Sequence, residues 1–246
     1  MAKSEAAARS RSRPVRSAVS QRPATIDRRE QILQIAAKRF AEFGYEATTM
    51  RQIADDAKIL SGSIYHHFDT KDEILDAIIR DAALFIGDNS QRIAASSADA
   101  ETKLVALVLV QLNEYTSGQE AHSILYNERK LLRRHPHFAY VHQAKQTMYD
   151  AWTAVLEEGA AAGLFRRNME LFLTISTLVR MLNTCADWFR HDGTYELPNV
   201  KTYTLDEVIS FNLDLILRGV RSEARIGEPI PRRAAEALLA LYPANS

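Results

Sequence analysis

The chain has 246 residues, of which 46% are hydrophobic, so it is long enough to bury one substantial core or two modest ones. Its 31 basic and 31 acidic residues balance formally, but the first 22 residues hold six basic side chains against Glu5 alone. A single cysteine, Cys185, excludes an intramolecular disulfide framework, and no apolar run reaches the roughly 20 residues that cross a bilayer. We therefore expect a cytoplasmic protein that makes no membrane contact.

Residues 1–25 are rich in Arg, Ser and Ala and show no apolar periodicity, which predicts a disordered basic arm. Such an arm suits added attraction to DNA, as in other helix-turn-helix proteins. A solvated tail, or a start codon assigned too early, fits the same composition.

A first helix is predicted over residues 27–43 because apolar residues recur there at helical spacing, and Gly44 follows as a C-terminal cap. Thr49 then stands where an N-cap belongs, with Gln52 three residues later to complete a capping box. A second short helix, ending at Phe68, comes only a few residues after the helix that Thr49 starts. Two short helices this close together predict a helix-turn-helix, although an ordinary helical hairpin gives the same pattern.

The second short helix carries the chemistry. Ile64 and Phe68 are core positions, and no Asp or Glu lies between Lys58 and Phe68. A segment that approaches phosphates and base edges needs small residues, hydroxyl and imidazole donors, and no carboxylate. Lys71 begins the next helix, where its charge and the free backbone amides suit a phosphate. The residues expected to contact DNA are Thr49, Arg51, Ser61, Gly62, Ser63, Tyr65, His66 and Lys71.

Residues 28–75 resemble the DNA-binding domain of the TetR family of transcriptional regulators. The resemblance rests on an Ile-Leu-x-x-Ala-Ala-x-x-Phe opening, on Phe-Gly-Tyr before the paired threonines, and on Ser-Gly-Ser-Ile-Tyr-His-His-Phe followed by Lys-Asp-Glu-x-Leu. Two positions depart from the family pattern: Lys58 stands where a turn glycine is usual, and Leu60 where serine is frequent. A positive φ at Lys58 would carry strain, and the N-cap role would pass to Ser61.

A long helix is predicted from Thr70 to about Ile93, and every later apolar pattern is helical, which predicts an all-α chain. We expect an N-terminal three-helix helix-turn-helix domain at residues 26–72 and a helical bundle at 73–224. An extension at 225–246 contains a short helix that the patterns do not place.

For the bundle, the resemblance implies effector binding and homodimerisation. Helices at 171–190 and 204–220 look too apolar to be half exposed, and we expect the dimer to form there, with Ile209 and Ile216 in the interface.

A basic run from Arg129 to Arg134, an aromatic-rich helix, and Asp-Trp-Phe-Arg at 187–190 resemble the TetR subgroup that responds to acyl-coenzyme A thioesters in lipid and sterol catabolism. An acyl chain needs an apolar slot, and the phosphates of coenzyme A need Arg or Lys at its mouth. A solvated basic face with two core tryptophans gives the same pattern. The candidate effector-binding residues are Tyr115, Tyr126, Arg129, Arg133, Trp152 and Trp188.

No cofactor, metal site or catalytic cluster is predicted. His135 and His137 flank a proline, and no carboxylate or thiol lies at ligand spacing on a shared helix face. Cys185 falls at a position where free cysteine usually acts as a small hydrophobe.

Three functional classes follow: a ligand-responsive dimeric repressor of double-stranded DNA, a helix-turn-helix protein that coats DNA without sensing a ligand, and a helical enzyme. The motif favours the first, with an acyl-coenzyme A or a neutral or cationic lipophile as effector. The lack of an active-site cluster disfavours the enzyme.

Overall fold

The computed structural model of the chain describes residues 27–117, 119–189 and 203–242. Within them the protein is all-α, as predicted, and its one β-type contact is an isolated antiparallel bridge between Phe165 and Arg221. No helix among the described residues is long and apolar enough to cross a membrane. The predicted arm at residues 1–25 lies outside the described part. The helices are α1 (Arg28–Phe43), α2 (Met50–Asp56), α3 (Lys71–Ala95), α4 (Ala100–Ser117), α5 (Gln119–Asn127), α6 (Arg129–Arg134), α7 (Ala139–Ala161), α8 (Leu171–Trp188), α9 (Leu205–Val220) and α10 (Arg232–Leu239), with short 3-10 helices at Ser63–His66, Pro136–Phe138 and Glu223–Arg225.

The head, residues 27–79, folds around its own apolar cluster. The predicted capping box is present at α2, where the Thr49 hydroxyl accepts from the Gln52 amide at 3.2 Å and the Gln52 side chain accepts from the Thr49 amide at 2.9 Å. These two hydrogen bonds pair backbone amides that the helix itself leaves without a partner, and they determine where α2 begins. The side chains at the centre of the cluster, none more than 2% exposed, are Ile32, Ala36, Phe40, Ile53, Ala54, Ile64, Phe68, Ile74 and Leu75.

The second helix of the motif is one 3-10 turn, Ser63–His66, and its N-cap is Gly62 with no side-chain cap bond. The prediction that Ser61 caps this helix is therefore wrong. The backbone closes the turn itself, because the Ser63 amide donates to the Leu60 carbonyl at 2.8 Å.

Helix α3 links the head to the rest of the chain. Thr70, from which the sequence predicts this helix, caps it by accepting from the Glu73 amide at 3.1 Å, and the 25 residues of α3 span about 37 Å. Helix α7 packs along α3, and a Cβ at Gly87 would lie 2.9 Å from the Ala144 carbonyl oxygen. Only glycine permits this close backbone approach.

The body, residues 80–242, has a second core around α4. Residues 100–112 are each at most 5% exposed, which explains why the stretch from Leu104 to Val110 is apolar on every face. Helices α7, α8 and α9 surround α4, and Trp152 of α7 is completely buried among them.

The head core does not stop at the predicted domain boundary between residues 72 and 73, which falls inside α3. Ile124 of α5, Leu132 of α6 and Phe138 are each at most 4% exposed and belong to the same apolar cluster as the head residues. The segment from α5 to the start of α7 therefore packs directly against the head.

The C-terminal extension, which the sequence patterns do not place, packs on α4 through α10, with Ala235 fully buried. Beneath it, the Glu101 carboxylate is buried and paired with Arg221 and, at 3.3 Å, with Arg225. Arg221 also donates to the carbonyls of Glu228 and Pro229 at 2.6 and 3.0 Å. One buried guanidinium thus connects the start of α4, the end of α9 and the extension.

Replacing Arg221 with Ala should lower the free energy of unfolding by about 3 kcal/mol, because the buried Glu101 carboxylate would keep only Arg225 as a partner and two carbonyls would lose their donor. Urea denaturation followed by circular dichroism measures the change. The matched control is Arg218→Ala, which breaks an exposed pair with Asp214 at 2.7 Å and should leave the free energy of unfolding nearly unchanged. Equal losses in the two variants would contradict the assignment.

Candidate DNA-binding and effector sites

Thr49 and Arg51 lie at the exposed start of α2. The Arg51 side chain is 82% exposed and its Nε comes no closer than 3.9 Å to Asp55, so this pair holds the guanidinium only weakly. Arg51 is therefore available to a phosphate or base, as the sequence predicts for it.

The 3-10 turn and the two residues before it present five more of the predicted DNA contacts. Ile64 and Phe68 anchor it in the head core, and the Arg29 guanidinium covers the Phe68 ring at 4.6 Å. On the outer side, Tyr65 is 54% exposed and nothing lies within 4 Å of a Cβ placed at Gly62. Ser61 and His66 are exposed and Ser63 is half-buried. This combination leaves donors facing solvent on a segment whose backbone is fixed from behind.

Lys58, in the turn before this segment, has a φ of 54°, the left-handed value expected where a glycine is usual. A side chain there costs roughly 1–2 kcal/mol relative to a right-handed conformation. Leu60, the other departure, is 80% exposed and contributes nothing to the core.

Lys71 has a structural role that the sequence did not predict. Its ammonium donates to the carbonyls of Tyr45 and Thr48, each at 2.7 Å, and lies 4.1 Å from the Tyr45 ring centroid. Burial lowers the pKa of Lys71, and the nearby carboxylates, Glu46 among them, oppose that shift. Lys71 thus fixes the connection between α1 and α2, and its contact with phosphate stays a prediction.

The corner between α5 and α6, residues 126–129, holds the head through a side chain that sequence reasoning missed. Glu128 accepts from the Tyr45 backbone amide at 2.8 Å. The Tyr45 hydroxyl in turn donates to Asp72, and burial together with that hydrogen bond raises the pKa of Tyr45 above its usual value. No local sequence pattern links two residues that lie 83 positions apart.

Two histidines extend this polar contact. His135 Nε2 lies 3.3 Å from Asp72, and His137 Nε2 lies 3.6 Å from Asp76. Both carboxylates belong to α3. Each histidine therefore pairs with its own aspartate, and the two imidazoles do not converge on one point where a metal could bind. No three His, Cys, Asp or Glu side chains in the described residues are grouped to hold a metal ion.

Among the predicted effector residues whose side chains the structure describes, Tyr126 and Arg129 are the two that come together. The Arg129 guanidinium lies 5.3 Å from the Tyr126 ring centroid, and Arg180 of α8, which the sequence did not nominate, lies 5.2 Å from the same ring. Trp152 is apart from them, fully buried in the body core, as the alternative core interpretation expects. Arg133 is exposed on α6, Trp188 is 42% exposed near the end of α8, and the side chain of Tyr115 lies outside the described part.

A shallow groove runs along the outer side of α8 and α9. Its walls include Leu173, Leu178, Met181, Leu215 and Gly219, and it contains none of the predicted effector residues. The groove is a largely apolar surface on the two helices where the sequence predicts the dimer.

Comparison with known proteins agrees with this architecture. Residues 32–78 match the family described as "Bacterial regulatory proteins, tetR family", and residues 97–220 match the "Tetracyclin repressor-like, C-terminal domain". The chain belongs to the TetR family of bacterial transcriptional regulators.

Comparison with individual proteins shows which members of the family this chain is similar to. The chain is 34% identical over 195 residues to the HTH-type transcriptional repressor KstR2 of Rhodococcus jostii, covering 79% of this chain and 92% of that protein. It is 30% identical to the repressor of the same name from Mycobacterium tuberculosis, over 80% of this chain and 94% of the relative. The structure described as "ketosteroid transcriptional regulator KstR2 of Mycobacterium tuberculosis" superimposes with a TM-score of 0.71 at 30% identity, covering 81% of this chain and 97% of that one.

The chain is accordingly a helix-turn-helix transcriptional repressor similar to KstR2, and not an enzyme. The predictions of family, all-α architecture and regulatory class are confirmed. The individual DNA-contacting and effector-binding residues stay predictions.

Replacing Tyr65 with Ala should weaken operator binding by about tenfold, because the exposed ring and hydroxyl leave the reading segment while Ile64 and Phe68 still hold its backbone. The DNA fragment to use is the segment upstream of the protein's own gene that the bound protein protects. Fluorescence anisotropy with this fragment measures the affinity, and the circular dichroism spectrum of the variant should match that of the wild type. Tyr65→Phe separates the hydroxyl from the ring. Unchanged affinity in Tyr65→Ala would remove this residue from the DNA interface.

Proposed function

We propose that this protein is a dimeric repressor that holds a palindromic operator when ligand-free and leaves it when a small hydrophobic effector binds the body. The effector we propose is a long-chain or steroid-derived acyl-coenzyme A thioester. The observation that supports this best is at the α5–α6 corner, where Glu128 holds the head while Tyr126 and Arg129 belong to the candidate effector site. The description of one similar structure as a ketosteroid regulator supports the steroid class.

The proposed dimer rests on the outer faces of α8 and α9. One helix-turn-helix offers few base contacts, so two-fold pairing on a palindrome is the usual solution. Four large apolar side chains on α8 and α9 are 46–67% exposed, an unusual number for two helices that line one groove: Phe172, Leu173, Phe211 and Leu215. A second copy of the chain would cover them.

Ile209 and Ile216, which the sequence nominated for this interface, are 5% and 2% exposed and face the body core. That nomination is wrong. Helix α9 is amphipathic, and Ile209 and Ile216 belong to the periodic apolar face that the body core covers. Phe211 and Leu215 lie on the opposite face, among polar residues such as Asp214.

The double substitution Phe211→Asp and Leu215→Asp should weaken dimerisation at least about 100-fold, because each side chain would sit at the centre of the interface and a charge there stays desolvated. Sedimentation equilibrium at micromolar concentration should show monomers that keep their helical circular dichroism. Leu241→Asp, at an exposed leucine beyond α10, is the matched control and should leave the dimer intact. A double variant that still sediments as a dimer would place the interface elsewhere.

Effector action is proposed to pass through the α5–α6 corner. A ligand that orders Tyr126 and Arg129 acts on the same few residues that present Glu128 to the Tyr45 amide. It changes operator affinity only by its differential affinity for the two arrangements of that corner. Release of the operator therefore requires that, with ligand bound, the corner bind the head more weakly or keep it in a different position.

Titration of the protein–operator complex with palmitoyl-coenzyme A and with cholyl-coenzyme A should release the DNA at micromolar concentrations. The free acids should act less well, because only the thioesters carry phosphates for the arginines. Anisotropy of labelled operator measures the release. Release by neutral or cationic lipophiles alone would replace the thioester as effector, and no release by any of these would favour a DNA-coating protein without ligand sensing.

A further inference from the structure

Tyr126 contacts two arginines that come from different helices of the body. Arg129 Nη1 donates to the Tyr126 carbonyl at 3.0 Å, and Arg180 Nη1 donates to the Tyr126 hydroxyl at 2.8 Å. Both guanidinium carbons lie within 5.3 Å of the ring centroid. Tyr126 thus contacts one arginine from the start of α6 and one from the middle of α8.

These two charges have no carboxylate partner within the described residues. Other arginines of the body are paired, such as Arg80 with Asp76 at 2.8 Å and Arg218 with Asp214 at 2.7 Å. Two guanidinium groups around one ring repel each other, and each has used only one of its five donors on Tyr126. The remaining donors and the uncompensated charge favour an anion at this place.

We propose that Arg129, Arg180 and Tyr126 form a seat for a phosphate group of the effector's coenzyme A portion. The identity of the ligand rests on the proposed function; the anion-binding chemistry does not. Guanidinium groups bind phosphate oxygens with paired, charge-assisted hydrogen bonds, and a phosphate dianion neutralises both cations where a single carboxylate neutralises one. Arg133, which the sequence proposed alongside Arg129, is exposed on α6 and is not one of the two arginines on Tyr126, so it takes no part in the seat.

The seat has a mechanical consequence, because an anion that contacts both arginines ties α8 to the α5–α6 corner. Helix α8 also carries the exposed residues of the proposed dimer face, and the corner carries Glu128. A phosphate therefore connects the partner-facing helix to the segment that holds the head.

Isothermal titration calorimetry with coenzyme A and with inorganic pyrophosphate, at fixed physiological salt, tests the seat on the full-length protein. Arg129→Gln and Arg180→Gln should each raise the Kd for coenzyme A by about tenfold. Tyr126→Phe keeps the ring but removes the acceptor for Arg180, so a smaller increase is expected. Arg134→Gln, an exposed arginine on the same α6, is the matched control and should change the Kd by less than twofold. Thermal unfolding by circular dichroism verifies that each variant is folded.

The outcomes separate this seat from the proposed function. Thioester binding and operator release that are unaffected in Arg180→Gln overturn the seat and leave the proposed function standing. Equal losses in Arg134→Gln and Arg180→Gln show nonspecific attraction and also overturn it, as does a wild-type protein that binds neither coenzyme A nor pyrophosphate. Anion binding with the expected dependence, but without operator release by any thioester, supports the seat and contradicts the proposed effector.

Discussion

The burial of Ile124, Leu132 and Phe138 in the head's apolar cluster makes the position of the reading segment depend on the body. A head that packed only on itself would be connected to the body through α3 alone. Here the segment from α5 to the start of α7 contacts the head as well, and fully buried side chains of this size each contribute roughly 2 kcal/mol. The head and this segment therefore share one core, and movement of either one disturbs the packing of the other.

Hydrogen bonds and ion pairs fix the orientation of the head on this shared core. Glu128 binds the Tyr45 amide, and the carboxylates of Asp72 and Asp76 face His135 and His137. Apolar packing tolerates small sliding movements, whereas a hydrogen bond loses most of its strength when its geometry is lost. The corner between α5 and α6 is thus bonded directly to the loop that precedes α2.

The parts of the molecule that could be predicted from the sequence are those fixed by neighbouring residues. The Thr49 capping box, the Thr70 cap and the glycine after α1 are local signals, and each predicted helix boundary close to them agrees with the structure to within a residue or two. The sequence singled out Lys58 in the same way, as a position whose departure from a turn pattern would carry strain at a positive φ, and its φ is 54°.

The rest depends on tertiary contacts that no periodicity reveals. The sequence assigned Lys71 to phosphate alone, but the folded chain brings two carbonyls within its reach. Arg180 lies inside an apolar helix, and its pairing with Tyr126 joins residues 54 positions apart. On helix α9, the folded chain shows that Ile209 and Ile216 are already covered, whereas Phe211 and Leu215 are left exposed.

The contact between Gly87 and Ala144 also limits how the body can move. Because the two backbones touch there, α3 cannot roll about its own axis or slide past α7 without a collision. The two helices therefore behave as one rigid body, and a tilt of α3 carries α7 with it.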